Sequence, residues 1–182
     1  MAKLVSATYG DALFELALED EKLDEVWEEV KFLGDAIRTN KEFASLLVHP
    51  RVSEEEKKAL VKNIFGGQLS DITMGFIMIV IEKGRAGDIE IILNYFCEKA
   101  REYKNIGVAH VTSATGLSDK QKKSIENRLL DTTKYVSYEM DYRVDENLIG
   151  GIVIRIGDRV FDSSVKNCID KMSRELSKIQ LS

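Results

Sequence analysis

The sequence predicts an N-terminal all-alpha bundle of six helices over residues 1–105, followed by a small alpha+beta domain over residues 106–182. Apolar residues recur at spacings of three and four through the first part and alternate in twos from about residue 106. The charge balance changes at the same place: residues 1–105 hold 14 Lys/Arg against 20 Asp/Glu, whereas residues 106–182 hold 12 against 11. With 44% hydrophobic residues and a single proline in 182 residues, the chain has ample material for buried cores. A single compact unit of that length would bury about 70% of the surface its unfolded chain exposes.

The first helix carries the stripe Tyr9, Leu13, Leu16 and Ala17, and the second carries Val26, Val30, Leu33 and Ile37 with Trp27 widening that face. Each stripe reads as buried core at least as readily as partner surface. A short helix with Phe43, Leu46 and Leu47 should end before Pro50, whose ring disfavours helical geometry at His49. Ser53-Glu54-Glu55-Glu56 spells a capping box opening a helix with Leu60, Val61, Ile64 and Phe65 that stops at Gly66-Gly67. Ser70 or Asp71 caps the next helix. Its run Met74 to Ile81 is apolar nearly all round, which places it in the centre of the bundle. After a turn bracketed by Gly84 and Gly87, Ile89, Ile92, Leu93, Phe96 and Ala100 face inward from the sixth helix.

In the second part, Gly107 to Ser113 predicts a strand. Val136, Tyr138, Met140, Tyr142 and Val144 alternate with Ser137, Glu139, Asp141 and Arg143, the pattern of a sheet covered on one face. Ile152, Ile154 and Ile156 mark a third strand, and Gly157-Asp158 turns into a fourth, Arg159 to Asp162. Two helices should cover the apolar face. One opens at Ser118 with Gln121 in the capping-box position and carries Ile125, Leu129 and Leu130; the other follows Ser163-Ser164 with Val165, Ile169, Met172, Leu176 and Ile179.

The chemistry of the side chains excludes most catalytic classes. Only His49 and His110 could act as imidazole bases or metal ligands, and no spacing joins them. Cys97 and Cys168 lack the companions of a zinc or dithiol site, and read as small hydrophobes in a reducing compartment. Gly150-Gly151 and Gly157 lack the phosphate-loop spacing and the helix that must follow it. Glu54 to Glu56 oppose a helix dipole without needing a further role. Net charge of −5 and a pI of about 5.2 argue against nucleic acid as main partner. Lys120, Lys122 and Lys123 form only a weak basic patch. No run approaches the roughly 18–20 apolar residues of a membrane span, and the N-terminus lacks the pattern of a secretion signal.

Acidity concentrates in residues 1–35, where Lys3, Lys22 and Lys31 face ten carboxylates. Such an excess reads either as a field steering a basic partner segment or as a solvated helix face. Arg155, Asp158 and Arg159 at one hairpin likewise read either as a polar docking edge or as ordinary solubility. Composition and spacing alone therefore describe a two-domain acidic adaptor with no enzyme site and no cofactor.

Four stretches narrow that description: Tyr9-Gly10-Asp11-Ala12-Leu13-Phe14-Glu15-Leu16-Ala17, Leu47-Val48-His49-Pro50, Lys83-Gly84-Arg85, and the long run from Asp145-Glu146-Asn147-Leu148-Ile149-Gly150-Gly151 through Arg155-Ile156-Gly157-Asp158-Arg159 to Val165. In this order the chain resembles the delta subunit of bacterial F-type ATP synthase, the counterpart of the mitochondrial oligomycin sensitivity-conferring protein. The resemblance implies a non-catalytic stator subunit, without cofactor or metal, linking the catalytic head to the peripheral stalk and the membrane sector against rotor torque.

It further implies a peripheral location at the cytoplasmic face of the cell membrane, with no direct insertion and no nucleic acid. Tyr9, Ala12, Leu13 and Leu16, with Phe76, Ile77, Val80 and Ile81, would form the groove for an amphipathic N-terminal helix of an alpha subunit. Gly150, Gly151, Arg155, Gly157 and Asp158 match the C-terminal signature, in the domain that would meet the C-terminus of the b subunits. Thr8, Gly10 and His49 depart from the family pattern, where arginine, alanine and a small polar residue are usual. The competing reading is a free-standing adaptor that associates with RNA through residues 106–182.

Overall fold

The computed structural model describes residues 2–169, 171 and 172, and the chain forms two compact units, Met1–Arg101 and Glu102–Ser182. The first contains α1 (Ala2–Glu19), α2 (Leu23–Thr39), α3 (Lys41–Val48), α4 (Glu54–Phe65), α5 (Asp71–Glu82) and α6 (Ile89–Tyr103), the last entered through a 3-10 turn at Ala86–Asp88. Local chemistry sets their boundaries. The Asn40 side chain accepts from the Phe43 amide at 3.1 Å to open α3, and His49 closes it in an extended conformation ahead of Pro50. Ser53 and Glu56 form the reciprocal capping box: the Ser53 amide donates to Glu56 Oε2 at 2.9 Å, and the Glu56 amide to Ser53 Oγ at 3.2 Å.

Ser70 caps α5 and also joins it to α2. Glu29 accepts from the Ser70 amide at 2.6 Å and from the Ser70 hydroxyl at 2.7 Å, and the fully buried Thr73 hydroxyl donates to the same carboxylate. Three donors from the start of α5 converge on this one carboxylate, so the start of α5 is pinned against α2. The spacing of Glu29, Ser70 and Thr73 in sequence gave no sign of this.

The bundle core is filled by Leu13, Phe14 and Ala17 from α1, Val26, Val30 and Leu33 from α2, Ile77, Val80 and Ile81 from α5, and Ile92, Phe96 and Ala100 from α6. Phe14 meets Phe96 edge to face at 6.3 Å between ring centres. Gly10 gives room to a neighbouring residue of α6, Tyr95. A Cβ placed there would land on Tyr95 Cδ1 and 3.2 Å from Cε1, and the Tyr95 hydroxyl donates to Asp11 at 3.1 Å. Overpacking of this kind costs about 1–3 kcal/mol, against about 1 kcal/mol gained in helix propensity on removing glycine. Gly10→Ala is therefore expected to destabilise the protein by about 1 kcal/mol in urea unfolding. In a Tyr95→Ala background the same change should stabilise it; equal effects in both backgrounds would refute the packing argument.

The sequence placed α5 at the centre of the bundle, and the structure corrects this. One face, with Thr73, Phe76, Ile77, Val80 and Ile81, is buried, while Ile79 is 52% exposed and Ile72, Met74, Gly75 and Met78 are half-buried. An all-round apolar helix has a second apolar face left over once the core is satisfied, and here it reaches solvent.

The second unit holds β1 (Ile106–Ser113), α7 (Asp119–Thr132), β2 (Ser137–Val144), β3 (Ile152–Ile156) and β4 (Arg159–Asp162). The sheet order is β2-β1-β3-β4, with β1 parallel to β2 and antiparallel to β3, and β3 antiparallel to β4. The parallel pair needs a crossover, which α7 supplies from its Ser118–Gln121 capping box. Ala109, Leu129, Tyr138 and Ile156 form the core of this unit, with Ile125, Leu130, Met140 and Ile154 packed around it.

Strand alternation correctly separates the two faces, but burial on β2 is confined to Tyr138: Val136 precedes the strand, and both it and Val144 are exposed. The cause is position, since β2 is an outer strand and α7 covers only part of it. Helical backbone resumes over 165–169 and at 171–172, with Val165, Ile169 and Met172 exposed; Leu176 and Ile179 lie outside the described residues.

Candidate functional site

The residues singled out on α1 divide between two faces. Leu13 is 1% exposed and belongs to the core, whereas Leu16 is 42% exposed, Ala12 is exposed and Tyr9 is half-buried. On a helix of 3.6 residues per turn, Val5, Tyr9, Ala12 and Leu16 lie along one flank, beside the buried arc of Leu13 and Ala17. On α5, Phe76, Ile77, Val80 and Ile81 all point into the core, and the apolar residues left facing outward are Ile72, Gly75, Met78 and Ile79. Helices α1 and α5 pack directly together, so the residues named in advance on α5 brace its position while its outer strip meets solvent. The resemblance assigned the stretch from Phe76 to Ile81 as a whole, and periodicity cannot tell Ile79 as the exposed member of a helix apolar on every side.

Three contacts hold the opposite flank of α1 to α6. Asp11 accepts hydrogen bonds from Lys99 and Tyr95, and the Lys99 ammonium lies 4.8 Å from the centre of the Phe14 ring. The Lys99 hydrogen bond, foremost, holds the Asp11 carboxyl below its ordinary 3.8 against the opposing effect of burial, with the Tyr95 hydrogen bond and the Lys99 charge adding to the lowering. A carboxyl depressed in the folded state adds stability that is present above its unfolded value and is lost as pH falls through its folded one. Wild type should therefore exceed Asp11→Asn in stability near neutral pH, and the gap should close in acid as pH falls below 3.8. Urea melts between pH 7 and pH 2.5 or so measure it; a pH-independent gap would contradict the linkage.

In the second unit, Gly150 and Gly151 lie against the segment that leaves β4. A Cβ at Gly150 would come 3.0 Å from Val165 Cγ2, and the Val165 amide donates to Gly150 O at 3.0 Å. Gly157 and Asp158 form the exposed turn between β3 and β4, and Arg155 Nε donates to Gly157 O at 3.2 Å. Arg159 lies beyond the turn with its side chain exposed. Next to this hairpin, Val160, Phe161, Val165 and Ile169 are all exposed, Phe161 by 52%. Val160 and Phe161 are consecutive on β4 and so leave opposite faces of the sheet, Val160 on the face of Arg155 and Phe161 on that of Ile154; the sequence marked Val165 and Ile169 as a helix stripe meant to cover the sheet, and here both are exposed.

The two histidines occupy separate places. His49 Nδ1 accepts from the Arg51 amide at 3.2 Å, and His110 lies on the sheet face opposite the core, 3.0 Å from Asp141. Hydrogen bonding from His110, and then the nearby Arg143, hold the Asp141 carboxyl below its usual range. An open depression of about 400 Å³ beside β2 is lined by Asp119, Lys122, Lys123, Glu126, Tyr138, Met140 and Tyr142. Its lysines are interleaved with carboxylates, which dilutes the basic patch an RNA surface would need. Among the described residues no group of three or more His, Cys, Asp or Glu side chains is placed to hold a metal ion, and no helix is long and apolar enough to cross a membrane.

A helical bundle and a small α+β unit, each leaving large apolar side chains exposed, define the class as a two-domain protein with surfaces suited to binding other proteins. The chain belongs to the ATP synthase delta (OSCP) subunit family, whose pattern it matches over residues 5–176. It is 52% identical over 181 residues to the ATP synthase subunit delta of Lachnoclostridium phytofermentans, covering 100% of both chains. It is 34% identical over 179 residues to that of Alkaliphilus oremlandii, covering 98% of this chain and 99% of the other. A chain in the cryo-EM structure of the Toxoplasma gondii mitochondrial ATP synthase hexamer shares the fold, with a TM-score of 0.73 at 20% identity over 94% of this chain and 96% of that one. As a member of this family the protein is a non-catalytic stator subunit linking the catalytic head of ATP synthase to its peripheral stalk, with alpha and b subunits as its partners.

Proposed function

We propose that the helical unit, residues 1–105 by the sequence boundary, grips the catalytic head by accepting the amphipathic N-terminal helix of an alpha subunit between α1 and α5. The observation that carries this is the pair of outward apolar strips on two helices that pack together, Tyr9, Ala12 and Leu16 on one and Ile79 with its neighbours on the other. Leu13, Phe76, Ile77, Val80 and Ile81 set the spacing of the groove from beneath. This is helix-in-groove recognition, in which apolar anchors at helical spacing enter a hydrophobic trough.

The second unit, residues 106–182, receives the C-terminus of the b subunits at the β3–β4 hairpin. Gly150, Gly151, Arg155, Gly157 and Asp158 shape and flank the surface, and apolar area comes from Val160 and Phe161 on the two faces of β4 and from Val165 and Ile169 beyond it. The protein then works at the cytoplasmic face of the cell membrane as a peripheral component, held there by its partners. Rotation of the central shaft drags on the head, and this joint resists it mechanically while ATP chemistry proceeds in other chains. A joint under repeated load is better served by apolar burial than by surface ion pairs worth about 0–1 kcal/mol each.

The combined substitution Val160→Ser and Phe161→Ser is expected to weaken co-purification of the b subunit at least about tenfold, since two exposed apolar anchors are removed. Binding to the stripped catalytic head should be unchanged. Retained b-subunit binding would remove the hairpin from the stalk contact.

A further inference from the structure

Resting on the groove reading above, we propose that the α1–α5 groove is selective for an amphipathic helix carrying Lys or Arg along the edge that meets the C-terminal end of α1. Glu15 and Glu19 are exposed and, by helical angle, lie next to the strip of Ala12 and Leu16. Asp20 and Glu21 follow at once in the turn, both exposed. Glu15 and Glu19 thus lie toward the end of α1, where the helix dipole places about half a negative charge and the last turn contains no basic residue, and Asp20 and Glu21 extend the acidic edge through the turn ahead of Lys22. On α2 the arrangement is the reverse, with Asp24 and Glu25 in the first turn, where carboxylates are favourable.

Stability of the isolated bundle therefore accounts for the acids of α2 and opposes those of α1. A cation brought by a partner reverses that opposition. The apolar flank beside the cluster supplies the second requirement of an occupant, a face to bury. The α5 strip ends in carboxylates as well, Asp71 at its start and Glu82 at its finish, although Glu82 is engaged by Lys58 at 2.7 Å. The occupant that satisfies both features is one helix, apolar on one side and basic along the adjoining edge. Rim charges of this kind act chiefly on the rate of encounter, whereas buried apolar anchors act on dissociation.

The experiment uses the full chain and two synthetic amphipathic peptides with identical apolar faces, one with Lys and one with Glu at the edge positions. The Lys peptide should bind about tenfold tighter at low salt, mostly through faster association, and the gap should shrink in 0.5 M or so of salt. Joint replacement Glu15→Gln, Glu19→Gln, Asp20→Asn and Glu21→Gln should remove the gap with dissociation nearly unchanged. Leu16→Ser should speed dissociation of both peptides. A Lys peptide that fails to bind, or binds no tighter than its Glu twin, overturns the charge selectivity. Failure of the groove itself is read separately, as stripped catalytic head that binds wild type and Leu16→Ser equally well.

Discussion

Gly151→Ala is expected to destabilise the second unit by about 3 kcal/mol. Gly151 has φ of +83°, in the region that L side chains adopt only under strain. A Cβ there would run into the Ser163 carbonyl oxygen and lie 2.9 Å from Ser164 Cα. These are backbone atoms, and they are tied down: the Ser163 amide donates to Ile152 O at 2.9 Å, the Ser164 amide to Asp162 Oδ1 at 2.8 Å, and the Val165 amide to Gly150 O at 3.0 Å. Neither partner in the clash can move without breaking the exit of β4. A small unit of this size has only about 5–10 kcal/mol to lose, so the change is a large fraction of its stability. Urea unfolding and amide exchange at Ser163 and Val165 should both report it. Gly150→Ala should be milder, because the atom it meets is a side-chain methyl of Val165. Wild-type stability in Gly151→Ala would mean that the signature glycine is kept for contact with another chain instead.

Where a signal was local, the sequence revealed it. The capping boxes at Ser53 and Ser118, the stop before Pro50, the β3–β4 turn and the buried stripe of α6 each depend on residues within a few positions of one another, and each is found in the structure. What stayed hidden was set by tertiary partners. Glu29 accepting from Ser70 and Thr73, and Gly10 yielding its space to Tyr95, join residues more than forty positions apart that share no periodic signature. The same limit governs the candidate site. Resemblance named residues on α1 and α5, but which face of α5 stays open depended on which side its neighbours had already occupied. An alternating strand shows which residues share a face and not how far a helix extends over it, which is why Val144 was expected inside and lies outside.

Substituting surface and core residues on the same two helices should separate binding from folding. Leu16→Ser with Ile79→Ser removes anchors that are 42% and 52% exposed, so the folded protein loses little, within about 0.5 kcal/mol for each. Affinity for the stripped catalytic head should fall about 100-fold, since two apolar anchors in a docking groove are each worth about 1–2 kcal/mol on truncation. Leu13→Ala and Ile77→Ala do the opposite. Both side chains are at most 2% exposed, and each truncation leaves a cavity costing about 2–5 kcal/mol. Head binding by the fraction that remains folded should stay near wild type, because neither side chain reaches the surface a partner would touch. Denaturation curves and titration of the stripped head, run on the same three variants, measure both axes. The opposite pattern, with head binding intact in the surface pair and lost in folded Leu13→Ala, would require the groove to open between α1 and α5 before a partner enters. In that case the outer strip of α5 would have no part in the joint.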